Sequence, residues 1–274
     1  MDYVTLNNGL KMPQLGFGVW RVPNEQAAEV VSKAIEVGYR LIDTAAIYGN
    51  EEGVGEAIKQ SAVPRGELFI TTKVWNSDHG YDNTLRAFEV SLKRLGLDYV
   101  DLYLIHWPTP KYDQYVETYK ALERIYREGR AKAIGVCNFH IEHLERLMKE
   151  TEVVPVVNQV ECHPYLTQVE LKKYCKQHNI HVEAWSPLEQ GGEVLKDETI
   201  VKIADAHGKT PAQVILRWHL QEGSIVIPKS VTPSRIEENF RVFDFSLTDE
   251  EMEAIHRLNK NRRRGSDPNN MNHR

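Results

Sequence analysis

With 274 residues, 41% of them apolar and 27% charged, the chain can fill one large core, and its net charge of -5 gives no general attraction to nucleic acid or an anionic membrane. No apolar run approaches the roughly 18 residues that a membrane span needs, and the segment Met1 to Gly9 has neither the basic nor the apolar stretch of a signal peptide. Cys137, Cys162 and Cys175 are odd in number and lack metal-ligand spacing, which points to reduced thiols, no metal and a cytoplasmic chain.

Tyr3-Val4-Thr5-Leu6 and Leu10-Lys11-Met12, joined by Asn7-Asn8-Gly9, predict a β-hairpin. Leu15 to Gly18 follows as a first interior strand, and Asn24 is placed to cap a helix to Val37, in which Ala27, Val30, Val31, Ala34 and Ile35 keep a helical period. The stretch from Gly38 to Asn50 reads as a buried strand, Tyr39 to Ile42. It runs out into a loop carrying Asp43 and Tyr48, with a helix from about Glu51 to Lys59. The unit then repeats. Strand Leu68 to Lys73 precedes helix Tyr81 to Leu95, and strand Val100 to His106 precedes helix Tyr112 to Glu128. Strand Ala133 to Val136 precedes a helix near Ile141, and strand Val154 to Val160 one from Thr167 to His178. Strand His181 to Trp185 is followed by helices Glu198 to Ala206 and Pro211 to Leu220, and strand Ser224 to Ile227 by a short helix at Ser234.

Alternating strands and helices of this number predict an α/β (β/α)₈ barrel, here a single domain spanning residues 1–274, with the hairpin closing its bottom. An added helix, Thr248 to Leu258, is capped by Ser246 or Thr248. The polar tail Asn261 to Arg274 is either disordered or folded back over the barrel mouth.

In such a barrel the C-terminal strand ends face one pocket. They carry Asp43 and Tyr48, Lys73 and Trp75, His106 and Trp107, Asn138, Gln159 and Glu161, Trp185 and Ser186, and Lys229 and Ser230. With Trp20, four of the five tryptophans gather there, which describes an aromatic cleft for a small molecule. Tyr48 is a weak acid on its own. An ammonium at Lys73, held by Asp43, would lower its pKa, and His106 could hydrogen-bond a substrate oxygen. Such a set protonates an oxygen as charge develops on it, as carbonyl reduction requires, with a cofactor supplying the hydride. Lys73 with Asp43 is equally readable as a structural ion pair. His140 and His143 read as surface residues rather than ligands, and Arg262-Arg263-Arg264 as serving solvent or a local carboxylate.

Three ordered stretches carry a resemblance. Gly38-Tyr39-Arg40-Leu41-Ile42-Asp43-Thr44-Ala45 with Tyr48, Glu52 and Gly55 is similar to the first signature of the aldo-keto reductase family. Lys132-Ala133-Ile134-Gly135-Val136-Cys137-Asn138-Phe139 is similar to the second, and Ile227-Pro228-Lys229-Ser230-Val231-Thr232 with Arg235, Glu238 and Asn239 to the third. The resemblance implies that Asp43, Tyr48, Lys73 and His106 form a catalytic tetrad with Tyr48 as proton donor. It implies NADPH as cofactor: Asn138 and Gln159 on the nicotinamide carboxamide, Trp185 stacked on the ring, and Ser186 and Leu188 near the pyrophosphate. Lys229, Ser230, Thr232 and Arg235 would hold the 2′-phosphate, with Glu238 and Asn239 on adenine. Cys137 and Trp185 stand where many relatives have serine and tyrosine.

No Gly-x-Gly-x-x-Gly follows a strand, so a Rossmann domain is not expected. The short segment from Ser186 to Asp197 resembles members with a wide entrance, here walled by Trp20, Trp75 and Trp107. The expectation is a monomer that reduces small carbonyls such as methylglyoxal, glyceraldehyde and aromatic aldehydes. The alternatives are a keto-sugar acid reductase resembling 2,5-diketo-gluconate reductase, its acid held by a cation of the Arg262 to Arg264 run, or a non-catalytic nucleotide-binding subunit.

Overall fold

The computed structural model describes residues 1–274. In chain order the elements are β1 (Tyr3–Thr5), β2 (Lys11–Pro13), β3 (Gly16–Gly18), α1 (Asn24–Val37), β4 (Leu41–Asp43), α2 (Glu51–Gln60), β5 (Phe69–Val74) and α3 (Tyr81–Leu95). They continue as β6 (Val100–Ile105), α4 (Tyr115–Arg127), β7 (Ala131–Cys137), α5 (Ile141–Glu150), β8 (Val157–Glu161) and α6 (Val169–Gln177). Last come β9 (His181–Trp185), α7 (Glu198–His207), α8 (Pro211–Gln221), β10 (Ile225–Val226), α9 (Pro233–Phe240) and α10 (Asp249–His256).

Strands β3 to β10 form one parallel sheet in sequence order. Leu15 bridges Val226 in parallel, and Gly18 N donates to Pro228 O at 3.1 Å, so the last strand returns to the first and the sheet is a (β/α)₈ barrel. Strands β5 and β6 are buried at every position, because helices cover the outside and side chains fill the inside. The larger core of 46 buried residues lies between strands and helices, with Phe88 of α3, Tyr119 of α4 and Leu144 of α5 turned inward. A second cluster fills the barrel from below, where Leu6 and Met12 of the hairpin pack against Leu41, Phe69, Leu102 and Val157. No helix is long and apolar enough to cross a membrane.

Most predicted elements fall within a few residues of those observed, and two capping expectations resolve. Thr248 caps α10, accepting from Glu251 N while the Glu251 side chain accepts from Thr248 N. Asn24 does not cap α1: Pro23 holds that position, and Asn24 is the first helical residue, its Oδ1 accepting from Gly53 N of α2 at 2.9 Å. The tail folds back over the mouth, where Arg264 N and Gly265 N each donate to the Glu161 carboxylate at 2.7 Å.

Candidate active site

Asp43 is the last residue of β4, and the turn after it, Ala46–Tyr48, brings the Tyr48 phenol back above the strand end. Asn50 fixes that loop. Its Oδ1 accepts from Thr44 Oγ1 at 2.7 Å and its Nδ2 donates to Val19 O and Val22 O, both at 2.9 Å. From β5, Lys73 rises into the same space with no solvent exposure. Its Nζ donates to Asp43 Oδ2 at 2.6 Å, Thr44 O at 2.9 Å and Tyr48 Oη at 3.3 Å. An ammonium has three donors, and all three are used. Because Lys73 donates to the phenol oxygen, the Tyr48 proton is left to point elsewhere, and Tyr48 lines the groove above.

The electrostatics follow from burial and these contacts. Burial alone would push the Lys73 pKa down, but Asp43, then Tyr48, outweigh it, and Lys73 is held charged well above its ordinary range. Tyr48 departs from expectation: Lys73 does lower its pKa, yet burial raises it further, helped by Asp43, and the phenol is pushed up to about 12. Burial, then the positive field of Lys73, depresses His106 and keeps its imidazole neutral. Its ring stands edge-on to Tyr48 at 5.7 Å and to Trp75 at 5.2 Å between centroids.

Of the residues predicted at the mouth, all but Lys73, which lies beneath the floor, and Glu161 line one groove of about 1070 Å³. The aromatic end carries Trp20, Trp75, Trp107 and His106 above Asp43 and Tyr48. Next come Asn138, Gln159 and Trp185. Trp185 Nε1 donates to Asn138 Oδ1 at 2.9 Å, Asn138 Nδ2 donates to His106 O at 2.9 Å, and Gln159 Nε2 donates to Asp43 Oδ1 at 2.8 Å. These bonds fix both amides while leaving each a free donor or acceptor for a ligand. Ser186 and Leu188 follow, and the far end holds Lys229, Ser230, Thr232, Arg235, Glu238 and Asn239. Ser230 Oγ accepts from Thr232 N at 3.1 Å, shaping the turn into α9.

Two readings change and a third narrows. Glu161 is fully buried, taking a 2.7 Å bond from His163 Nε2 and the two backbone donors of the tail, so it anchors structure rather than facing the groove. His143 is buried, and with His140 it closes the first turn of α5, its Nδ1 accepting from His140 N at 2.9 Å. Arg262 serves local carboxylates as expected, Glu189 at 2.5 Å and Glu193 at 3.0 Å, which takes it away from the substrate acid of the alternative reading. Sequence reasoning missed Asn50, Ile47 of the groove wall, and Met271, which the tail adds to the lining. It also missed Glu183, an acidic residue inside the strand pattern His-Val-Glu-Ala-Trp that alternation with Trp185 would have placed inside the barrel.

The sequence profile described as the aldo/keto reductase family matches residues 12–260. Glyoxal reductase of Bacillus subtilis (strain 168) is 57% identical over 268 residues, covering 97% of this chain and 96% of that protein. A methylglyoxal reductase of Yersinia pestis is 56% identical over 266 residues, covering 97% and 95%. A solved structure of a Gox0644 mutant in complex with NADPH aligns with a TM-score of 0.94 at 51% identity, over 98% of each chain. The chain therefore belongs to the aldo/keto reductase family and is an oxidoreductase acting on small carbonyl compounds.

Proposed function

We propose that this chain is an NADPH-dependent reductase of small reactive carbonyls, with methylglyoxal, glyceraldehyde and aromatic aldehydes as its substrates and Tyr48 as the general acid. The reading also takes it to act as a monomer in the cytoplasm, and its three buried, unpaired cysteines fit a reducing compartment. The observation that carries the mechanism is the saturated Lys73 ammonium, which donates to Tyr48 Oη and leaves the phenolic proton for the groove. The groove fits a dinucleotide phosphate. Its amide-bearing middle suits a carboxamide ring beside Trp185, and at its far end Lys229 and Arg235 stand outside every ion pair of the chain, two cations for an anionic group.

NADPH held in this groove would supply the hydride for the carbonyl carbon. Tyr48 gives its proton to the carbonyl oxygen as negative charge grows there, and Lys73 stabilises the phenolate left behind. Neutral His106 orients the oxygen by a hydrogen bond, and Asp43 holds Lys73 in place and charged. The names of the relatives, glyoxal and methylglyoxal reductase, support the substrate class. So do the aromatic walls, which discriminate weakly among small apolar substrates.

Tyr48→Phe removes the proton and almost no volume. Reduction of methylglyoxal is expected to fall by about 10² to 10⁴ in kcat, with NADPH affinity, read from tryptophan fluorescence, unchanged. Turnover at the wild-type rate would overturn the reading.

A further inference from the structure

Glu183 sits in mid-strand on β9, two residues before Trp185, and so points to the same inward face one layer lower. It is in register with Gln159 of β8 on one side and Ile225 of β10 on the other. The side chain is completely buried, and neither carboxyl oxygen has a hydrogen-bond partner. Its polar neighbours bond elsewhere first, and only the second Nε2 hydrogen of Gln159 is left on its side. Gln159 gives Nε2 to Asp43 Oδ1, and Lys73 gives its three donors to Asp43, Thr44 and Tyr48. A carboxylate at that place would be a dry anion with at most a weak amide donor, beside a second anion, an arrangement a protein avoids by keeping the proton on.

We propose that Glu183 is a positioning residue of the carbonyl reduction: as an uncharged carboxylic acid beneath the Asp43 and Lys73 pair, it leaves Asp43 the only anion drawing on the Lys73 ammonium. Lys73 is then free to stabilise the Tyr48 phenolate as the proton leaves. This deepens, and rests on, the reading of Tyr48 as the acid. The titratable groups facing Glu183 are Asp43 from β4, Lys73 from β5 and the Cys137 thiol from β7; β8 offers the Gln159 amide and β10 offers Ile225. Burial first, then Asp43, push its carboxyl up to about 8, against the opposing pull of Gln159 and Lys73. When Glu183 loses its proton to solvent at higher pH, a second anion shares the field of Lys73. Tyr48 then becomes a weaker acid, and reduction slows.

The test compares wild type with Glu183→Gln, which keeps shape and removes the ionisation. The profile of kcat/KM against pH is measured for methylglyoxal with NADPH, and infrared spectra of protein carrying isotope-labelled glutamate report whether a protonated carboxyl is present. In wild type a protonated glutamate band at neutral pH should fade as pH rises, in step with a fall in kcat/KM. In Glu183→Gln that band should be missing and the fall lost, with activity at neutral pH within about threefold of wild type. The infrared measurement on wild type alone still decides if the variant does not fold: no protonated band at neutral pH overturns the proposal. A variant profile superimposable on wild type, or a loss above about tenfold at neutral pH with NADPH affinity intact, also overturns it. If instead Tyr48→Phe turns over normally, the reading of Tyr48 is what fails, because the band does not depend on the reaction.

Discussion

Lys73 and Glu183 are both buried inside the barrel and meet opposite fates. Lys73 has Asp43, a carbonyl and a phenol to receive its three donors, so its charge is stabilised there despite burial. Glu183 has no partner, so its charge is not. That difference makes a prediction about stability. The carboxyl of Glu183 is raised to about 8 in the folded chain, above its ordinary value in the unfolded one. Between those values the folded state holds a proton that the unfolded state has released, so stability falls as pH rises and stops falling above the folded value. Relative to Glu183→Gln, wild type should therefore lose thermal stability steadily from about pH 5 to about pH 9. The difference between their Tm values, measured across that range by calorimetry, should widen with pH; a constant difference would mean that Glu183 is ionised throughout.

Among elements, the clearest local logic is where helices meet. Gly55 lies in mid-helix on α2, where a Cβ would come 2.3 Å from Leu95 O and 2.7 Å from its carbonyl carbon. The obstacle is the backbone at the end of α3, which no rotamer change can move. Gly55→Ala gains about 1 kcal/mol of helix propensity but overpacks this crossing against fixed backbone, which is expected to cost about 3 kcal/mol, the upper end for overpacking. Urea unfolding should register the net loss, and a more stable variant would mean that α2 can slide. The turn into α9 carries a different prediction. A charge-assisted contact to a phosphate is worth about 1.5 to 3 kcal/mol, so Arg235→Ala should weaken NADPH binding by about tenfold to a hundredfold and leave NADH nearly untouched. Equal weakening of both, measured by fluorescence titration, would remove Arg235 from the 2′-phosphate.

The elements themselves were legible where a period ran long enough. Helix α3, Tyr81–Leu95, shows its period through Leu85, Phe88, Leu92 and Leu95, and β9 is bounded as its alternation suggests. Short barrel strands lack that length, so β4 and β10 drift by a residue or two. The ring of polar strand ends was legible because each breaks an apolar run. What stood hidden was set by partners distant in sequence. Asn24 looks like a cap until Gly53 claims it, and Glu161 faces the groove in sequence order but is claimed by His163, Arg264 and Gly265. The upward shift at Tyr48 was hidden for a similar reason: a sequence names Lys73 as a neighbour but does not say how dry the pocket is.

At the scale of the whole molecule, the C-terminal tail joins one side of the mouth to the other. It leaves Glu161 at Gly265, which lies so close to Trp185 that a Cβ there would approach the indole to 2.6 Å. It then crosses by Asp267, whose Oδ1 is 3.0 Å from His140 Nε2, and reaches the loop after β5, where Asn76 Nδ2 donates to His273 O at 2.6 Å. Beyond, Lys111 N donates to Asn272 Oδ1 at 2.9 Å, and the Arg274 guanidinium lies 3.6 Å from the Tyr112 ring centroid. The entrance is therefore narrower than the short segment from Ser186 to Asp197 implies, because Met271 stands in its wall. Ending the chain after Ser266 keeps both donors to Glu161 and removes that wall. None of the lost residues hydrogen-bonds to Asp43, Lys73 or Tyr48, so the contribution lost is to substrate and transition state alike. An apolar side chain at a pocket wall is worth about 1 to 3 kcal/mol, so KM for a bulky aromatic aldehyde should rise by about tenfold or more. With methylglyoxal, too small to fill the groove from floor to wall, KM should move less and kcat stay within about twofold. Steady-state kinetics on the two substrates decide the matter. An equal fall of kcat and kcat/KM on both would mean that the tail acts on the chemistry at Tyr48 itself and is more than a wall.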